Sequence, residues 1–130
     1  MNQKTTLLEV LNDAADCLQI EGWTNHDYED RNGGDGEDII TAITKKSRKW
    51  DKHEMNYRID QALQEDAMRY CVEALACRIG NEAFTETYLL LIESKYPGAA
   101  LVHWQTNDCA DKWDAIALIE EAADILLSLV

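Results

Sequence analysis

Residues 60–79 read DQALQEDAMRYCVEALACRI, and Gly80 follows them. At 100° per residue, Leu63, Ala67, Tyr70, Cys71, Ala74 and Leu75 gather on one side of a helix. Glu65, Arg69 and Glu73 form an i, i+4, i+8 ladder on the other side. The spacing predicts a helix from Asp60 to Ile79, stopped by Gly80.

The same period extends in both directions. Towards the C-terminus, Asn81 can cap a helix whose stripe is Phe84, Tyr88, Leu91, Ile92 and Lys95, running to Pro97, the only proline. A short turn or helix holds Leu101 to Trp104, and Asn107-Asp108 reads as a turn. Asp111 can cap a last helix with Ile116, Ile119, Ala122, Ala123, Leu126 and Val130 facing inward. Towards the N-terminus, Thr6 to Glu9 reads as a capping box that opens a helix ending at Gly22. Its inner side is Leu7, Leu8, Leu11, Ala14, Ala15 and Leu18, with Glu9, Asp13 and Asp16 directly opposite. Residues 23–58 read as a long acidic and basic loop region, in which Glu37 or Asp38 starts a short helix through Ile39, Ile40 and Ile43. A small hairpin fits within 23–44, yet no run alternates with period two for long. The expectation is an all-α fold in one domain over 1–130, a bundle of four main helices with one or two short ones.

Twenty-five acidic residues stand against twelve basic ones, a net charge of −13. A fold gains nothing from that surplus, because the carboxylates repel one another. An apolar content of 46% argues against disorder and places the charge on the surface of a globular body. Residues 45–58 break the trend with six cations and two carboxylates, Lys45, Lys46, Arg48, Lys49 and Lys52 among them. This reads as a solvated loop, with two alternatives: a nucleic-acid contact through Trp50 among the cations, or pairing to the acidic spine of its own fold or of a second copy, a homodimer. The longest apolar run, Tyr88 to Ile92, is too short to span a bilayer, and the first residues lack the apolar stretch of a signal peptide. A cytoplasmic protein with no membrane partner is expected. The surface charge speaks against direct binding of nucleic acid. Cys17, Cys71, Cys77 and Cys109 form no CxxC, and reduced core thiols are the expectation.

Residues 33–41, GGDGEDIIT, fit one calcium-binding β-roll nonapeptide, but such sites need stacked repeats and only one copy is present. Glu120, Glu121 and Asp124 have the EExxD spacing with which helical nucleotide pyrophosphohydrolases hold Mg²⁺ through carboxylate oxygens. The matching set on a preceding helix is missing, so outward acidic residues are the simpler account. His26, His53 and His103 lack metal-ligand spacing. His103 near Asp108 could shuttle protons and Cys109 could act as a nucleophile, without the surrounding geometry catalysis needs. Trp23, Trp50, Trp104 and Trp113 read as core anchors, and any one exposed beside the acidic surface becomes an interface hot-spot candidate. No cofactor is implied.

Gly22-Trp23-Thr24 after the first helix, residues 69–75 (RYCVEAL) in the long helix, and Trp104 with Asn107-Asp108 ahead of residues 117–120 (ALIE) occur in that order. Together they resemble an uncharacterised helical domain-of-unknown-function family found in phages and actinobacteria. Glu73 stands where that family has a small residue, and 33–58 has no counterpart in it. The resemblance implies a helical fold and mobile-element ecology and carries no catalytic residue.

Three functions follow as expectations. The first is a phage or mobile-element inhibitor with no catalytic residue. It would occupy a basic nucleic-acid-binding surface of a bacterial defence complex, in the manner of an anti-CRISPR nucleic-acid mimic. Its contacts would be Glu9, Asp13 and Asp16 with Asp27, Glu29, Asp30, Asp35, Glu37 and Asp38 on the adjoining loop. A duplex carries roughly one charge per 1.7 Å of axis, and carboxylates at i, i+4, i+7 offer a coarser fixed row. The alternatives are a Mg²⁺-dependent nucleotide pyrophosphohydrolase using Glu120, Glu121 and Asp124, or a structural or regulatory homo-oligomer.

Overall fold

The computed structural model describes residues 3–21, 38–80, 82–86, 88 and 98–128. In chain order these are α1 (Gln3–Glu21), α2 (Ile39–Lys46), β1 (Arg48–Asp51), β2 (Asn56–Ile59), α3 (Gln61–Ile79), α4 (Gly98–Asn107) and α5 (Lys112–Ser128). Residues 82–86 and 88 are also helical. The fold is all-α, with one two-stranded hairpin added to it.

The decisive stretch forms α3 between the expected ends. The Asp60 carboxylate accepts from Leu63 N at 3.1 Å, satisfying one of the amides a helix start leaves without partners. Gly80 ends the helix at φ +101°, a conformation that side chains resist, and its amide donates to Ala76 O at 2.8 Å. Leu63, Ala67, Met68, Cys71, Ala74 and Leu75 are buried. Met68 fills the core while Tyr70 stays at the margin of the face, half-buried. Glu65, Arg69 and Glu73 are exposed, and Arg69 pairs at 3.7 Å with Asp66 one turn back.

Around α3 the helices close one core. Helix α1 packs most extensively on α5 and then on α2, and α3 packs on α5 and α4. Leu11, Leu18, Ile43, Met68, Leu75, Leu101, Leu118 and Ile119 are fully buried in it. Truncating one such leucine to alanine costs about 2–5 kcal/mol, so these contacts fix the helix faces that remain outside. Helix α1 begins at Gln3, three residues ahead of Thr6, so the expected capping box lies inside the helix. It ends at Glu21, directly before Gly22. Helix α5 starts as expected, with Asp111 Oδ1 accepting from Asp114 N at 3.0 Å. Helix α4 is longer than the short turn expected around Leu101–Trp104.

The largest correction concerns residues 45–59. They are expected as loop and instead form the end of a helix and a hairpin, while the hairpin expected within 23–44 lies largely outside the described residues and its last part, from Ile39, is helical. Lys45 and Lys46 end α2, and β1 and β2 pair antiparallel with Arg48 opposite Ile59, Trp50 opposite Tyr57 and Asp51 opposite Asn56. Met55, at φ 51°, makes the left-handed residue of the turn. The base is clamped: Asp60 N donates to Ser47 O at 2.9 Å, and the buried Ser47 hydroxyl donates to Ile43 O at 2.7 Å. Beyond that base every residue of β2 is exposed.

Candidate interaction surfaces

The acidic row on α1 is formed by the helix period alone. Leu7, Val10, Leu11, Ala14, Cys17 and Leu18 turn inward, which leaves Glu9, Asp13 and Asp16 at i, i+4, i+7 on the outer side, all exposed. Ile20, four residues past Asp16, continues the same stripe and is 82% exposed. None of the three carboxylates enters an ion pair among the described residues.

Helix α5 carries a second outward stripe. Trp113, Glu120, Asp124 and Leu127 fall on one side, and all four are exposed, Trp113 at 56%. Trp113 is therefore no core anchor; its ring takes Lys112 Nζ at 4.8 Å from the centroid. Trp104 is the buried anchor. Trp23 lies outside the described residues.

Asp38 does not belong to any acidic surface. It is 1% exposed, and its carboxylate caps α2 by accepting from Thr41 N at 2.6 Å. Capping draws the side chain inward because the α2 amides need an acceptor. Ile39 N is satisfied instead by Gln105 Oε1 at 3.0 Å, which ties α2 to α4. Asp27, Glu29, Asp30, Asp35 and Glu37 lie outside the described residues. Ile39 to Thr41 are helical, which is incompatible with the β-roll reading of 33–41.

The carboxylates at the junction of α3 and α5 are already engaged. Arg78, in the last turn of α3, donates to Asp114 Oδ1 at 2.8 Å and through Nη2 and Nε to Glu121. The guanidinium also stands 5.4 Å from the Trp104 ring centroid, and its side chain is 26% accessible. Hydrogen bonds to Glu121, followed by the charges of Glu121 and Asp114, hold Arg78 charged against the desolvation that opposes it. Glu121 is thus spent on an arginine while Glu120 and Asp124 face solvent, so the three do not converge on a common point. Among the described residues no group of three or more His, Cys, Asp and Glu side chains is placed to hold a metal ion.

Beside this junction lie the groups singled out as catalytic candidates. Tyr88 Oη donates to Asp108 Oδ2 at 3.1 Å, and burial followed by the Asp108 charge pushes the phenol above its ordinary range. His103 meets the Tyr88 ring edge-on at 5.2 Å, and its Nδ1 is buried with no hydrogen-bond partner. The Cys109 thiol donates to Asp111 O at 3.3 Å and is pushed up to about 12, chiefly by burial and then by Asp114. A thiol so placed supplies no thiolate at neutral pH. Cys17 and Cys71 are buried, Cys77 is exposed, and no disulfide joins any of the four cysteines.

The hairpin forms the third surface. Arg48, Lys52 and Arg58 are exposed on it, together with Met55 at 72% and Tyr57 at 62%. Arg48, Asn56, Tyr57, Arg58, Gln61 and Gln64 line an open depression of about 930 Å³ between the hairpin and the start of α3. Arg58 has Glu54 at 4.0 Å, with both side chains largely in solvent. Such pairs contribute little.

A protein family of unknown function, DUF6197, matches residues 2–125. No curated protein and no solved structure matches the chain. No helix among the described residues is long and apolar enough to cross a membrane.

Proposed function

The chain belongs to DUF6197, a family of unknown function, and we propose that it is an acidic protein-binding module that occupies a basic, nucleic-acid-binding surface. The supporting observation is the α1 row: three exposed carboxylates at helical spacing with no ion pair among the described residues. From Glu9 to Asp16 the row covers about 10 Å at 1.5 Å per residue. Its fixed charges compete with phosphates for the same lysines and arginines, and the long-range field of a −13 body speeds encounter with a cationic groove. The α5 stripe adds Glu120 and Asp124 with Trp113 and Leu127, so an apolar anchor stands among the charges. The target class we place first is a bacterial defence complex of the CRISPR type, whose guide–target duplex lies in a positively charged channel. The protein then serves a phage or other mobile element.

Capture from bacterial lysate at low salt, with elution by a salt gradient, tests this. Recovery of a nucleic-acid-binding complex, displaced by added DNA or RNA and lost with Asp13→Lys plus Asp16→Lys, is the expected result. Circular dichroism must show the double variant still helical. Capture that ignores both the charge reversal and the nucleic-acid competitor overturns the proposal.

A further inference from the structure

The hairpin is the one described element that the fold leaves uncovered. A lone two-stranded hairpin is marginally stable in water and gains from a partner face. The base is held by the bond from Asp60 N to Ser47 O and by that from Gln64 Nε2 to Thr44 Oγ1 at 2.6 Å. Tyr57 and Ile59, two residues apart on β2, present an apolar side to solvent with Met55 at the tip. Segment 45–58 carries six cations and two carboxylates, on a chain whose remainder is strongly acidic.

The surface that complements it is on the same chain. The three most exposed large apolar residues among those described are Ile20, Met55 and Tyr57. The first closes the acidic row of α1 and the other two belong to the cationic hairpin. Cross-strand partners share a face, so Arg48 lies on the same side of the hairpin as Ile59 and Tyr57. We infer that two copies of this chain associate reciprocally, the hairpin of each lying on the outer face of α1 of the other. Arg48 and Lys52 meet Asp13 and Asp16, and Met55 and Tyr57 cover Ile20. Two-fold symmetry makes both contacts identical, which closes the assembly as a dimer. A nucleic acid offers the anionic partner but no counterpart to the apolar Ile20 end, and it meets an otherwise acidic body. The inference does not depend on a foreign target. It places self-association and the proposed target on the same α1 row, so the dimer masks the row until a more basic surface displaces the hairpin.

Sedimentation velocity of the purified full chain, in about 50 mM and about 500 mM salt, tests the dimer without any other protein. The expected result is a dimer at low salt that dissociates as salt rises. Arg48→Glu with Lys52→Glu, and separately Asp13→Lys with Asp16→Lys, each weaken it at least tenfold, about the effect of one lost charge contact. Mixing the two variants restores the dimer, because both contacts then join opposite charges again, an outcome that misfolding cannot produce. A chain that stays monomeric at low salt overturns the inference. So does a dimer that neither charge reversal weakens. A monomer that shifts a labelled DNA or RNA, with the shift lost in the hairpin variant, also overturns it and assigns the hairpin to nucleic acid.

Discussion

The outer face of α1 and the junction of α3 with α5 hold the same kind of side chain and use it in opposite ways. On α1, Glu9, Asp13 and Asp16 face solvent with no ion pair among the described residues. At the junction, Asp114 and Glu121 are gathered by Arg78 over the Trp104 ring. What separates them is a cation brought in by tertiary packing. Helix period decides that a carboxylate faces away from its own core; a neighbouring helix decides whether that direction is solvent or a partner. Acidic residues are therefore unequal here, those of α1 lying where packing among the described residues supplies no cation.

The variant expected to change stability most is Arg78→Ala. It strands two carboxylates beside each other and removes the cation from the Trp104 face. Hydrogen bonds to charged groups contribute about 1.5–3 kcal/mol each when shielded, and the partial exposure of this one reduces that to about 2 kcal/mol for the whole fork. For a chain of this length, thermal unfolding should fall by about 7 °C. Arg78→Lys recovers only part, because an ammonium cannot fork between two carboxylates. An unchanged midpoint in Arg78→Ala would make the junction as loose as the α1 row and remove the contrast.

Asp38→Ala should follow, at about 1 kcal/mol, the usual cost of an N-cap. Asp38→Asn should keep most of the stability, since the amide oxygen still accepts from Thr41 N. That pair of variants separates Asp38, an acid used by the backbone, from the acids on α1, which the backbone does not use.

Much of this was legible in the sequence. The apolar period of 60–79 and the stop at Gly80 located α3, and the acidic spine of α1 lies outward as the period requires. Asp38 was misread as a surface charge because the same residue that starts a helix also counts as acidity, and only burial tells the two apart. The hairpin escaped notice because a strand signals itself through alternating burial, and β2 buries nothing. Trp113 was taken for core because tryptophan usually is, although Asp111 and Asp114 beside it mark a wet helix start. The Arg78 fork joins residues 36 and 43 positions apart, a distance at which local pattern carries no information.

A smaller effect distinguishes the junction by chemistry. The Cys109 thiol, raised from 9.0 to about 12, favours the protonated folded state. That preference is fully present below pH 9 and is lost as pH climbs towards 12. Iodoacetamide at pH 8.5, a value chosen just below the ordinary thiol range, should label the exposed Cys77 well before Cys109. Equal labelling rates would mean that the junction opens readily.

The smallest effect belongs to the α1 row itself. Asp13 and Asp16 stand three residues apart on one helix face, where like charges repel by about 0.2–0.5 kcal/mol. Asp13→Asn with Asp16→Asn should therefore raise the unfolding midpoint slightly at low salt when the chain is dilute enough to be monomeric, and the gain should vanish at high salt as screening removes the repulsion. A surface that lowers stability in the free protein is retained through what it meets, so the same double variant should lose both self-association and target binding. If neutralising the pair instead lowers stability by more than about 1 kcal/mol, beyond the range of ordinary surface changes, the row is holding the fold together. The contrast with the Arg78 junction would then be one of degree, and the case for α1 as a binding face would rest on Ile20 alone.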